Sequence, residues 1–179
     1  MSTLQLETNR LLLNQPTVKD ISQLLEIMKN PIYSKHTTNI PYPYTEDSGL
    51  FWIDLAEQGL ASQNAYVFAI RLKDDPTLIG GIGLGVDRTN NKAELGYWLA
   101  EPYWNQGLIT EAAHTVIQFG FATLKLHKIF ASYFSFNEAS GRIMQKIGMQ
   151  KEGDLRAHTL KEGQYIDHVL YGIINENHY

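Results

Sequence analysis

Apolar positions in this chain follow two spacings, and the change from one to the other marks out its elements. Leu11-Leu12-Leu13 reads as a first strand ending near Pro16. Thr17 can cap a helix whose apolar stripe runs Val18, Ile21, Leu25 and Met28, and Pro31 stops that helix. Ile40-Pro41-Tyr42-Pro43-Tyr44 is an extended loop, because each proline biases its predecessor away from helix. Thr45 starts a second helix carrying Leu50, Phe51 and Leu55. Then the spacing shortens. Ala65–Leu72, Thr77–Val86 and Lys92–Leu99 read as strands, turning at Lys73-Asp74-Asp75-Pro76 and at Asn90-Asn91, where asparagine tolerates positive φ. Leu108–Leu124 is predicted as the longest helix, with Ile109, Ala113, Ile117, Gly120 and Leu124 on one face. Lys128–Phe134 follows as a strand, and Ser140–Ile147 as a short helix ended by Gly148. Two last strands, about 149–159 and 164–174, are joined by Lys161-Glu162-Gly163.

The connection from strand 92–99 through the long helix to strand 128–134 has room for a parallel crossover. The three strands before it form an antiparallel meander. The expected fold is therefore an α/β domain with a mixed, mostly antiparallel sheet, and not a doubly wound one. A chain of 179 residues suits a single domain over 1–179, and 44% hydrophobic residues can fill its core without disulfide staples.

Charge and cysteine content remove several function classes. The net charge is −4 and no Lys/Arg run occurs, so nothing electrostatic points to nucleic acid. Cysteine is absent, which excludes a disulfide framework, thiolate catalysis and cysteine-ligated zinc. Met1–Arg10 lacks a basic segment followed by an apolar one, so it does not read as a signal peptide. No apolar run approaches the roughly 18 residues of a membrane span. These features predict a soluble cytoplasmic protein without a membrane partner. A monomer and a homodimer both fit them.

The strongest site signal is the loop Glu101-Pro102-Tyr103-Trp104-Asn105-Gln106-Gly107 leading into the long helix. A helix N-terminus presents unpaired backbone N–H groups and partial positive charge, and Gly107 lets an anion approach the backbone closely. Together they suit a pyrophosphate, with Thr110 and Glu111 in the first turn. An ordinary strand-to-helix loop gives the same pattern. Gly81-Ile82-Gly83-Leu84-Gly85 is a weaker phosphate motif. A hairpin follows it where a dinucleotide fingerprint needs a helix, so its glycines read as close strand packing.

Taken together, Ala93-Glu94-Leu95-Gly96-Tyr97-Trp98-Leu99 and Tyr103-Trp104-Asn105-Gln106-Gly107-Leu108-Ile109-Thr110-Glu111-Ala112 resemble the acetyl-CoA core of GNAT acetyltransferases. The nearest resemblance is to the Rim-type ribosomal-protein N-acetyltransferases. Glu7–Leu13 resembles that group's opening, Asn137–Ser140 with Lys146–Met149 its strand-to-helix segment, and Leu155-Arg156 with Gly163–Asp167 its closing hairpin. The resemblance implies a twisted sheet with a central, splayed parallel strand pair and helices on both faces. It implies that Tyr97, Trp98 and Leu99 pair with the pantetheine arm. Asn105, Gln106, Gly107, Leu108, Ile109 and Thr110 would hold the pyrophosphate, and Asn137 would bond the pantetheine. Three positions depart from the superfamily pattern: Trp104, Ile109, and Asn105 in place of a turn glycine.

In many members a tyrosine seven residues after the asparagine protonates the leaving thiolate, whereas this chain has Met144 there. Ser140 is the hydroxyl that the resemblance offers instead, and it also suits a helix N-cap. The chemistry is direct attack of a neutral amine on the thioester in a ternary complex, with proximity supplying much of the rate. Glu94, on the strand entering the site, is the candidate base, against a plain solvated strand carboxylate. Tyr42-Pro43-Tyr44 is either a wall of the acceptor pocket or an aromatic connection packed on the core. The six histidines, His36, His114, His127, His158, His168 and His178, lack metal-ligand spacing, so no metal is expected. His158 and His168 can approach each other across the last hairpin, although surface positions are the default. The expected activity is transfer from acetyl-CoA to a primary amine, by resemblance a peptide or protein N-terminus. A small amine such as a polyamine, amino acid or aminoglycoside is the alternative, and the rival from another class is a non-catalytic acyl-CoA sensor.

Overall fold

Two β-ribbons and a meander build one sheet whose strands are drawn from both ends and the middle of the chain. The structure is a computed structural model and describes residues 4–176. Its strands are β1 (Gln5–Glu7), β2 (Leu11–Asn14), β3 (Ala65–Leu72), β4 (Asp75–Asp87), β5 (Lys92–Leu99), β6 (Lys128–Phe134), β7 (Gln150–Lys161) and β8 (Gln164–Ile174). They lie in the order β1-β2-β3-β4-β5-β6-β8-β7. Every neighbouring pair is antiparallel except β5 and β6. The helices are α1 (Ile21–Met28), α2 (Ile32–His36), α3 (Glu46–Ser62), α4 (Leu108–Ala122) and α5 (Glu138–Lys146).

Strand alternation sends successive side chains to opposite faces. Phe68, Ile70, Leu95, Ile129 and Ala131 therefore join Ala112, Ala113 and Val116 of α4 and Met144 of α5 in the larger core. Ala69 and Leu78 face the other way and pack with Leu24 and Met28 of α1 and Tyr33 of α2. Helices thus cover both faces, as the resemblance implied. Asp20 and Arg71 tie α1 to β3 through a buried, two-pronged ion pair with both N–O distances at 2.8 Å. Burial pushes the Asp20 carboxyl up, but its bonds from Arg71 and Thr17 outweigh that and hold it below the usual carboxylate range.

Several elements differ from the sequence reading, each for a packing reason. β1 and α2 are too short to show a period. In α1 the buried residues are Leu24 and Met28, while Val18, ahead of the helix, is 64% exposed. In α3 the buried residues are Gly49, Ile53, Ala56 and Gly59; Gly49 faces Ile21 and Leu24 of α1, and Gly59 lets the helix lie close to Ala65 of β3. Leu50, Phe51 and Leu55 are exposed instead. β4 starts at Asp75, which pairs with Leu72 across the turn. α5 starts at Glu138, with Asn137 in the N-cap position.

Among the described residues, no helix is long and apolar enough to cross a membrane, and no group of three His, Cys, Asp or Glu is placed to hold a metal ion.

Candidate functional site

The β5–β6 pairing fails partway along, and that failure creates the site. The parallel register runs Lys92–Lys128, Ala93–Ile129 and Glu94–Phe130 and goes no further. Beyond it β6 pairs only with β8, while β5 continues to Leu99 along β4. The strands therefore splay, and the edge of Leu95–Leu99 that faces β6 has no strand partner. A cleft of about 1200 Å³ occupies the gap and reaches both sheet faces.

On the α4/α5 face, the backbone of the loop after β5 is arranged so that it could hold an anion. Asn105 and Gly107 both take left-handed φ, +60° and +75°. Asparagine tolerates this conformation and glycine adopts it freely. Gly107 is the N-cap of α4 and has no side chain to cap it, so the first-turn N–H groups point out of the helix end unscreened. Trp104, Asn105, Gly107, Leu108, Ile109 and Thr110 line the cleft. Gln106 does not: its amide donates to Pro102 O and its carbonyl accepts from Arg10. Trp104 donates its indole N–H to Leu99 O at 2.6 Å, which holds the loop against the strand end and occupies the Leu99 carbonyl.

Arg10 is a candidate site residue that the sequence reading did not single out. Its guanidinium joins Gln106 O and the Glu111 carboxylate, and Thr8 also donates to Glu111. A carboxylate in the first turn would otherwise compete with a bound anion for the helix end. Partial burial pushes Glu111 up, but the bonds from Thr8 and Arg10 hold it low and answer its charge.

The hydroxyl chemistry lies where α5 meets β5. Ser140 is the third residue of α5, inside the helix, so it is not the cap. Its Oγ is 2.8 Å from the Tyr97 hydroxyl, and Tyr97 also donates to Ser140 O at 3.2 Å. Tyr97 thus brings a phenol from the strand to Ser140, one helical turn before Met144, which is buried in the core. Burial raises the Tyr97 pKa well above the ordinary tyrosine value, so the phenol stays protonated. The Asn137 amide lines the same cleft and makes no capping bond.

The opposite face is aromatic. Trp98 meets Tyr33 and Trp52 edge-on, with ring centroids 6.2 and 6.0 Å apart. Gly81 makes room for this: a Cβ there would lie 2.5 Å from Trp98 Nε1. Gly83 is packed as closely, with a Cβ there 2.8 Å from Tyr66 O, as the sequence suggested, whereas Gly85 faces open space. Tyr44 is buried enough that its pKa is pushed up to about 12, whereas Tyr42 is exposed. Glu94, two residues before Gly96 and four before Trp98, is exposed on this face and lines the cleft. His168 is buried against His158, with the rings 4.9 Å apart, in place of the expected surface position. His178 lies outside the described residues.

Residues 10–150 match the acetyltransferase (GNAT) domain family. The uncharacterized N-acetyltransferase YoaA of Bacillus subtilis is 29% identical over 180 residues, covering 94% of this chain and 96% of that one. The [ribosomal protein uS5]-alanine N-acetyltransferase of Escherichia coli is 30% identical over 109 residues, 60% of this chain and 56% of that one. Among solved structures, a RimL ribosomal L7/L12 alpha-N-protein acetyltransferase in complex with coenzyme A superposes with a TM-score of 0.86 at 15% identity, covering 96% of this chain and 98% of that one.

Proposed function

The chain belongs to the GNAT acetyltransferase family and is an acetyl-CoA-dependent N-acetyltransferase; we propose that its acceptor is the α-amine of a peptide or protein. The splay between β5 and β6 carries this reading, because it opens one passage between an anion-binding loop on one face and an aromatic pocket on the other. The pyrophosphate would rest on the backbone of Asn105–Thr110, and Arg10 would sit beside it. The pantetheine would run along the free edge of β5 at Gly96–Trp98 and meet the Asn137 amide. Its thioester would then lie in the gap, with the amine arriving from the Trp98 side.

Amine attack on the carbonyl carbon expels the CoA sulfur with the C–S electron pair. Ser140 would give that sulfur a proton, and Tyr97 would orient Ser140. When the phenol O–H turns to Ser140 Oγ, the serine proton is free to point at the sulfur. Glu94 would draw the cationic amine to the acceptor face and is one group able to take its proton. The protein acceptor is supported by the relative that acts on an alanine of ribosomal protein uS5.

Isothermal titration with acetyl-CoA and a thiol-release assay over N-terminal peptides, polyamines and aminoglycosides test this together. The reading expects binding and preferential turnover of peptides. Binding without turnover of any acceptor would favour a sensor, and faster turnover of a polyamine or aminoglycoside would reassign the acceptor.

A further inference from the structure

His168 is the one buried side-chain polar group, among the described residues, whose hydrogen-bonding capacity is left unmet. It is 5% exposed, lines the cleft, and its Nε2 has no partner. Its Nδ1 is 3.1 Å from Ser132 Oγ. Ser132 and Phe134 belong to the stretch of β6 beyond its last pair with β5, and Phe134 is in register with His168. Ala131 packs in the core on the α4 side, so Ser132 and His168 face the acceptor side of the gap, as Glu94 and Trp98 do.

A distortion in β7 completes the arrangement. Between the pairs Leu155–His168 and Thr159–Ile166, β7 has three residues where β8 has one. The extra residues form a bulge with Ala157 at φ +49°, fixed by its N–H donating to the Asp167 carboxylate. The exposed His158 ring is thereby laid edge-on against His168. Left-handed alanine inside a strand is strained, and such strain collects at functional sites.

We propose that His168 is the general base of the transfer, an inference that rests on the acetyltransferase reading above. The amine enters neutral, having left one proton in solvent, and as its lone pair forms the N–C bond a second proton passes from nitrogen to Nε2, directly or through one water, giving an imidazolium. The C–S bond breaks with its electron pair on sulfur, Ser140 delivers its proton to that sulfur, and Ser140 Oγ regains a proton from solvent, so that one proton in net leaves with the reaction. His158, at the surface, passes the Nε2 proton to solvent. Imidazole suits this task better than carboxylates as a class, because its basicity lies closer to that of an α-amine. Burial first, and the neighbouring His158 second, lower the His168 pKa and keep it neutral at working pH. The groups facing it are His158 from β7, uncharged Ser132 and Phe134 from β6, and, beyond Phe136, His36 from α2.

The pH dependence of kcat/KM for a peptide acceptor tests the assignment. Two ionisations, amine and base, give the wild type a limiting acid slope of about 2, and His168→Gln reduces it to about 1 while lowering turnover by about 100-fold. Acetyl-CoA affinity of the variant stays within threefold. An unchanged slope overturns the base role even if the variant is slow. A second measurement needs no variant: nitrogen NMR of histidine-labelled wild type must show His168 neutral at pH 7 with the proton on Nδ1, donated to Ser132. A proton on Nε2 overturns the proposal. Failure of the underlying reading is separate, since wild type would then bind no acetyl-CoA or acetylate no amine.

Discussion

Removing the Tyr97 hydroxyl should show whether it and Ser140 act as one unit. Tyr97→Phe deletes a phenol that lies 2.8 Å from Ser140 Oγ and keeps the ring in its packing against the core. The lost hydrogen bond lowers stability by about 1 kcal/mol. For turnover, a positioned acid contributes about 100-fold, so Ser140→Ala should cost about that much in kcat. Misorienting Ser140 should cost about 1.4 kcal/mol of barrier, or tenfold, for Tyr97→Phe. If the phenol works only through the serine, the double variant is no slower than Ser140→Ala alone. Acetyl-CoA affinity, read by calorimetry, should change less than threefold in all three. A double variant slowed by about 1000-fold, the product of the single losses, would refute the coupling. Equal loss of affinity and turnover in Ser140→Ala would move Ser140 from chemistry to binding.

Gly107→Ala should weaken acetyl-CoA binding by about tenfold in calorimetry: the backbone is at φ +75°, which costs alanine about 1–2 kcal/mol, while a Cβ meets only Arg10 Nη2 at 3.8 Å. Gly81→Val should raise KM for the acceptor more than for acetyl-CoA, because the added carbons displace Trp98 and Trp52. Arg71→Met should lower unfolding free energy in urea by about 3–5 kcal/mol, since it leaves the buried Asp20 carboxylate without its counter-charge, with only Thr17 as partner. The same pair gives an acid-lability signature: Asp20 has a depressed pKa when folded, so its stabilisation is present above the unfolded value near 4 and is lost as pH falls through the folded one. Thermal melts of Asp20→Asn should therefore converge toward wild type at low pH and diverge at pH 7.

The elements with long, regular runs were legible in the chain. Ala65–Leu72, Lys92–Leu99 and Lys128–Phe134 have the bounds read from alternation, and the crossover between the last two is parallel. The stripes of α1 and α3 misled for a physical reason. Phe51 and Leu55 are apolar because they line an open cleft, not because they meet the sheet, and helical spacing does not distinguish the two. Site residues within one segment, such as Asn105–Thr110, carried a local signal in the glycine and the helix start. Residues joined across the fold carried none. Arg10 reaches Glu111 over 101 positions, and Tyr97 reaches Ser140 over 43. His168 showed only a proximity to His158 across a hairpin; the bulge at Ala157 that presses the rings together has no sequence mark.

The acceptor is the central claim, and competition under one condition tests it most directly. Equimolar N-terminal peptide, the same peptide N-blocked with a free lysine, and spermidine would be incubated with acetyl-CoA and catalytic enzyme, with early products read by mass spectrometry. The account predicts acetyl on the α-amine of the free peptide at least tenfold ahead of the other two, following the lower basicity of an α-amine. Acetyl appearing first on spermidine or on the lysine would contradict it.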